Sequence, residues 1–128
     1  MENPEAGKPN FNSQTRERTF RMATRIGMNL RDKKAAAVFK PAVLQIMRSS
    51  SSVAANYRAA TRARSDAEFY AKICIVVEEC DETLFWLEYL TAVDVLDATQ
   101  SESLLSEVEQ LTKLFNAIKA KMKVKVMK

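Results

Sequence analysis

The sequence predicts an all-α fold, an up-down-up-down antiparallel four-helix bundle, on three observations. The first is the scarcity of breakers. Gly occurs only at 7 and 27 and Pro only at 4, 9 and 41, so residues 42–128 contain neither. Strand proteins need frequent turn residues, and this chain does not have them. The second is periodicity. Phe69, Ile73, Val76, Cys80, Thr83, Leu87 and Leu90 recur at alternating spacings of 4 and 3, as do Leu104, Val108, Leu111, Phe115, Ile118 and Met122. These are the seams of helices packed at shallow angles. The third is a set of helix-start signals placed between the seams.

In chain order, residues 1–11 read as a polar, disordered tail. Helix 1 is expected over 12–31, on a short seam of Phe20, Ala23, Gly27 and Leu30. Pro41 suits a first helical turn, so helix 2 is expected over 41–63, with Val43, Ile46, Ser50, Val53, Tyr57 and Ala60 as its seam. Ser65-Asp66-Ala67-Glu68 has the form of a capping box and opens helix 3, expected over 66–91. Its run Ile73-Cys74-Ile75-Val76-Val77 has strand-like composition, but it lies inside an unbroken helical seam and is read as a doubly buried helical stretch. Thr99-Gln100-Ser101-Glu102 is a second box, opening helix 4 over 100–123. Residues 124–128 read as a basic C-terminal tail, and the lysines leading into it look flexible. Up-down-up-down packing is the simplest way to join four such helices by short connections.

Composition removes most chemistry. The 128 residues include no His, so Ser-His-Asp catalysis and His-containing zinc sites are excluded. Cys74 and Cys80 are six residues apart, a rise of about 9 Å on a helix, too far for a disulfide. They read as reduced, buried thiols. There is no Gly-rich phosphate loop and no nucleophile with a base beside it. No cofactor and no metal are expected. No apolar run reaches membrane-spanning length, and Met1–Pro9 is polar and begins acidic, unlike a secretion signal, so the expected location is the cytoplasm.

Charge is segregated along the chain. Residues 1–65 carry a net +9, residues 66–112 a net −11 and residues 113–128 a net +6. Either the basic helices neutralise acidic neighbours, within the bundle or across subunits, or part of the basic excess faces outward and meets phosphate. Arg16, Arg18, Arg21 and Arg25 on helix 1, with Arg58, Arg62 and Arg64 around the end of helix 2, are the candidate nucleic-acid contacts. Guanidinium forks grip phosphate bidentately and stack on bases.

The segment Gln45-Ile46-Met47-Arg48-Ser49-Ser50-Ser51-Ser52-Val53-Ala54-Ala55-Asn56 resembles the Arg-x-x-x-Ser-Val-x-Ala-Asn motif of the 23S rRNA intervening-sequence proteins. The likeness continues through Arg62-Ala63-Arg64-Ser65 and Phe69. It ends in Glu79-x-Asp81-Glu82-Thr83-x-Phe85-Trp86-Leu87-Glu88-Tyr89-Leu90, similar to that family's Asp-Glu-Thr-x-x-Trp-Leu-Glu block. It spans about residues 13–123. The resemblance implies a bacterial up-down bundle assembled as a homopentameric ring, without enzymatic activity. It also implies kinship with the accessory proteins of diversity-generating retroelements, which are basic pentamers that bind a reverse transcriptase and nucleic acid.

Four further residues have readings of their own. Arg48 and Arg58 are the expected ion-pair partners of the acidic helix 3, across helices or across subunits, and Glu82 stands four residues from Glu78 there. Asn56 either pins helix register or subunit contact or touches a base. Trp86 and its neighbour Phe85 lie on adjacent faces, so at most one fills the seam, and the other meets a neighbouring helix or subunit. Helix 3 is also apolar beyond its seam, at Tyr70, Cys74, Ile75, Val77, Leu84 and Tyr89, which calls for cover on several sides.

Two functions follow as expectations. The first is a non-enzymatic homo-oligomeric bundle that binds RNA, alone or with a protein partner, through basic faces of helices 1 and 2. The second is a scaffold oligomer whose Arg residues are spent on helix 3 of the same or an adjacent subunit.

Overall fold

The structure is a computed structural model and describes residues 10–127. Those residues form four α-helices and no strand: α1 (Phe11–Leu30), α2 (Lys40–Ala60), α3 (Asp66–Ala92) and α4 (Ala98–Val126). A short 3-10 turn, Ala37–Phe39, leads into α2. Most of the expected tail 1–11 lies outside the described residues.

The starts of α1, α3 and α4 are set by a residue whose side chain accepts from the first free N–H groups. Asn10 caps α1, accepting from Ser13 N at 2.8 Å, while Ser13 Oγ accepts from Asn10 N at 3.1 Å. The helix therefore begins at Phe11, one residue before the expected start at 12. Pro41 sits in the first turn of α2. Ser65 caps α3, accepting from Glu68 N at 3.1 Å. The Glu68 side chain pairs with Arg64 at 3.4 Å. Asp97, not Thr99, caps α4, accepting from Thr99 N at 2.8 Å and Gln100 N at 3.1 Å. A carboxylate takes two N–H groups and also meets the positive end of the helix dipole, so it outcompetes the hydroxyl two residues on.

The seams of α2, α3 and α4 are the core. Ile46, Val53 and Tyr57, then Ile73, Val76, Cys80, Leu87 and Leu90, then Leu104, Val108, Leu111 and Phe115 are buried. The Tyr57 and Phe115 rings cross from α2 to α4 with centroids 5.3 Å apart. Tyr57 Oη donates to Asn12 Oδ1 at 3.3 Å, and burial pushes its hydroxyl pKa up. Each fully buried large apolar side chain contributes about 1.5–3 kcal/mol, so the seams hold the molecule together.

The expected seam of α1 is corrected. Thr15, Thr19, Met22, Ile26 and Leu30 are the buried face. Phe20 is 57% exposed, and Ala23 and Gly27 are half-buried. The bulk of Phe20 suggested a core position. The helix instead turns inward a stripe whose Thr19 hydroxyl is satisfied by Thr15 O at 3.0 Å. This leaves α1 with a second apolar stripe on its outer side.

Packing is most extensive between α2 and α3 and between α3 and α4; α1 packs on α2 and more lightly on α4. Small hydroxyl residues meet where α2 packs on α3. Thr83 Oγ1 donates to Glu79 O at 2.8 Å and lies 2.9 Å from Ser49 Oγ. Phe39, just before α2, meets Tyr89 near the end of α3, and Ser49 farther along α2 meets Thr83 farther back along α3. The C-terminal lysines belong to α4, whose helix runs to Val126, past the expected end at 123. No breaker follows Met122, and Lys123 and Lys125 in the last turn complement the negative end of the dipole.

α3 ends without glycine. Val95 N bonds Leu90 O at 2.9 Å and Asp94 N bonds Thr91 O at 3.1 Å, a Schellman pair. It places Asp94 at φ 61°, in the left-handed region. A side chain there is strained, and glycine is not. Asp94→Gly is expected to stabilise the fold by about 1 kcal/mol or less, read as a higher urea midpoint with unchanged slope. A lower midpoint would contradict the cap.

Candidate nucleic-acid interface

The two basic sequence segments meet at one end of the molecule. α1 begins there, α2 ends there, α3 begins there and α4 ends there. Asn12 and Phe69 line a shallow hollow of about 520 Å³ together with Ile118, Lys121 and Lys125 of α4. The same two residues border Ala60, Thr61, Arg64 and Ser65 of the α2–α3 turn. Lys125 Nζ lies 3.3 Å from Asp66 Oδ2. Arg62, Arg64, Lys119, Lys121, Lys123 and Lys125 are thus gathered around one end. The acids that share it are Glu17, Asp66 and Glu68, each of which already holds a cation.

Ion pairing divides the candidate arginines. Arg18 forks onto Glu107 of α4, a partner that raises its pKa further. Arg21 pairs with Glu17 one turn away. Arg64 holds Glu68 at 3.4 Å and remains largely exposed. Arg25 donates to Ser103 Oγ at 2.9 Å. The side chains of Arg16, Arg58 and Arg62 make no hydrogen bond or ion pair among the described residues, nor do those of Lys119, Lys121 and Lys123. Arg16 and Arg58 face each other across an apolar groove between α1 and α2. Arg62 is exposed at the α2–α3 turn. The lysines of α4 were absent from the candidates because a C-terminal charge run reads as a tail. The seam through Met122 was the signal that they are helical.

Arg48 is held by the acidic helix. It lies 3.2 Å from Glu79 Oε2 and also forks onto Glu82, whose other oxygen accepts from Trp86 Nε1 at 3.3 Å. The Arg48 guanidinium, with help from the indole N–H, holds the Glu82 carboxyl below its ordinary range. Phe85 stands outside this cluster, 55% exposed, its ring 4.9 Å from Trp86 and stacked on Tyr89 at 6.2 Å. Asn56 turns back onto its own helix, donating to Ser52 O at 3.0 Å and Ser52 Oγ at 2.9 Å.

Among the described residues no three Cys, Asp or Glu side chains come together in a way that could hold a metal ion. Cys74 and Cys80 are free thiols, and burial pushes Cys80 up to about 12, which leaves it protonated and unreactive at neutral pH. No helix of the described residues is long and apolar enough to cross a membrane.

Residues 14–117 match the protein family described as 23S rRNA-intervening sequence protein. Among solved structures, the chain is similar to a protein of unknown function from the S23 ribosomal protein family of Bacteroides thetaiotaomicron. The two share 30% identity and a TM-score of 0.70, over 81% of this chain and 96% of that one. No curated protein matches.

The depressed Glu82 pKa makes a stability prediction. A carboxyl whose pKa is lowered on folding stabilises above its unfolded pKa and loses that contribution as pH falls through the folded value. Wild type is expected to be more stable than Glu82→Gln at pH 7, with the gap closing as pH falls below about 4. Thermal melts of both proteins across pH read it, and a gap independent of pH would contradict the Arg48–Glu82 pairing.

Proposed function

The chain belongs to the family of 23S rRNA-intervening sequence proteins, and from that membership and the charge map we propose that it is a non-enzymatic, homo-oligomeric RNA-binding bundle of the cytoplasm. The observation that carries this reading is the basic end. Arg62, Lys119, Lys121 and Lys123 make no hydrogen bond or ion pair there among the described residues, and Lys121 lines a shallow hollow with Phe11 and Phe69. Phosphate would meet the cations and an unstacked base the exposed Phe11 ring. The interface therefore shifts from the faces of helices 1 and 2 towards the end where all four helices converge.

In this proposal the helices run up-down-up-down and the subunits close into a ring, a pentamer by family resemblance. Contacts that run in opposite order along α2 and α3 support the first part. Exposed Phe20, Leu44 and Phe85 support the need for cover. A ring presents several basic ends to one RNA, so modest single-site affinity is multiplied by avidity.

The ion pairs favour a second reading. Arg18, Arg21, Arg48 and Arg64 are engaged by the chain's own acids. That is the pattern of a scaffold oligomer whose working partner is a protein. Salt titration of RNA binding separates the two. Binding should weaken linearly in log–log form, and Arg62→Ala with Lys121→Ala should lower the slope by about 2, one per phosphate contact removed. Arg21→Ala, already paired to Glu17, should leave the slope unchanged. Absence of binding at low salt would hand the function to the scaffold reading.

A further inference from the structure

The outer stripe of α3 and the groove between α1 and α2 are complementary surfaces on opposite parts of one molecule. We propose that the α3 stripe of one copy docks in the α1–α2 groove of the next, with Phe85 as the central knob. The inference rests on the oligomeric part of the reading above and supplies its contact.

The groove is the second apolar stripe of α1 set against α2. It encloses about 380 Å³, with Phe20 and Met47 as walls, small residues such as Gly27 and Ala54 as floor, and Arg16 and Arg58 at one end. Gly27 is not required by the chain itself. A Cβ there would meet only Met47 Cε at 3.6 Å, an ordinary contact. Glycine inside a helix weakens it relative to alanine, and what it provides here is room for something outside the chain.

The α3 stripe is Cys74, Glu78, Asp81, Phe85 and Glu88, recurring at 4, 3, 4 and 3. Its three carboxylates make no hydrogen bond or ion pair among the described residues. Neither do Arg16 and Arg58 across the groove. One surface thus carries unpaired acids around an aromatic knob, and the other carries unpaired guanidiniums beside an apolar trough. The spacing agrees. Arg16 is four residues from Phe20, Arg58 four from Ala54 and Asp81 four from Phe85. Each separation is one turn, about 6 Å along its axis. With Phe85 seated between Phe20 and Ala54, α3 parallel to α1, Asp81 arrives between the two arginines. Buried aromatic anchors ringed by polar contacts are what interfaces are built on. Because the two surfaces differ, the contact is head-to-tail, and such contacts close into rings when the rotation allows.

Sedimentation velocity of the purified full chain tests the proposal, with circular dichroism to confirm helicity. Wild type should be an oligomer. Phe85→Asp spoils the knob and Ala54→Arg spoils the groove, and each should sediment as a monomer. Mixed together they should form a one-to-one dimer, since each retains one intact surface. Asp81→Arg or Arg58→Asp alone should weaken association at least tenfold, and the two together should restore it. Should Phe85→Asp or Ala54→Arg lose helicity, the charge exchange decides alone. A wild-type monomer at all concentrations would overturn both this interface and the ring. An oligomer untouched by these variants, or folded monomers that do not pair on mixing, would overturn the interface and leave the ring reading standing.

Discussion

The register of α2 against α3 is the constraint on which the rest depends. Ser49 and Ser50 on α2 and Thr83 on α3 are all buried, and their small side chains bring the two helices together at the middle of the molecule. Their hydroxyls are satisfied locally, Ser49 by Ile46 O at 3.4 Å and Thr83 by Glu79 O at 2.8 Å. Close approach therefore costs no buried unpaired polar group. That register sets Arg48 over Glu79 and Glu82 and leaves Asp81 and Glu78 facing away. A rotation of α3 by one residue, about 100°, would exchange the acids that are neutralised for those that are not.

From that register follows the sorting of charge. Surface ion pairs contribute only about 0–1 kcal/mol each, so they matter less for holding the fold than for deciding which cations remain available. The acids of the middle of the molecule hold Arg18 and Arg48. The acids near the basic end, Glu17, Asp66 and Glu68, are fewer than the cations gathered there and are already occupied. What is left over has a position: unpaired cations at one end, unpaired acids along the outer stripe of α3, and unpaired guanidiniums at the mouth of an apolar groove.

Much of the fold was legible because its signals are local and repeated. The scarcity of Gly and Pro and the alternating seams of α3 and α4 sufficed for four helices, including the strand-like run Ile73–Val77, which is helical. The seam of α1 was misread for a physical reason: a two-stripe helix offers two faces, and the one that holds the aromatic ring, Phe20 with Ala23 and Gly27, turns outward while Thr15, Thr19, Met22 and Ile26 turn inward. The start of α4 was misplaced because a capping box is a weaker contact than the Asp97 carboxylate just before it. The basic end was only half visible. Arg62 and Arg64 marked it, but Lys119 to Lys125 are distant in sequence, and only the convergence of the helix ends brings them beside the α2–α3 turn. Pairing was legible for Arg48, whose motif lies opposite the acidic block, and not for Arg18, whose partner Glu107 is 89 residues away.

In the proposed RNA-binding role, the working cations are those the fold leaves unpaired at the end where the four helices converge. Chemical footprinting of Lys and Arg side chains in the RNA complex, read by mass spectrometry, tests it most directly. Strong protection is expected at Arg62, Lys119, Lys121 and Lys123, with Arg21 and Arg48 unchanged from the free protein. Protection centred on α1 at Arg21 and Arg25, with the lysines of α4 still reactive, would contradict it.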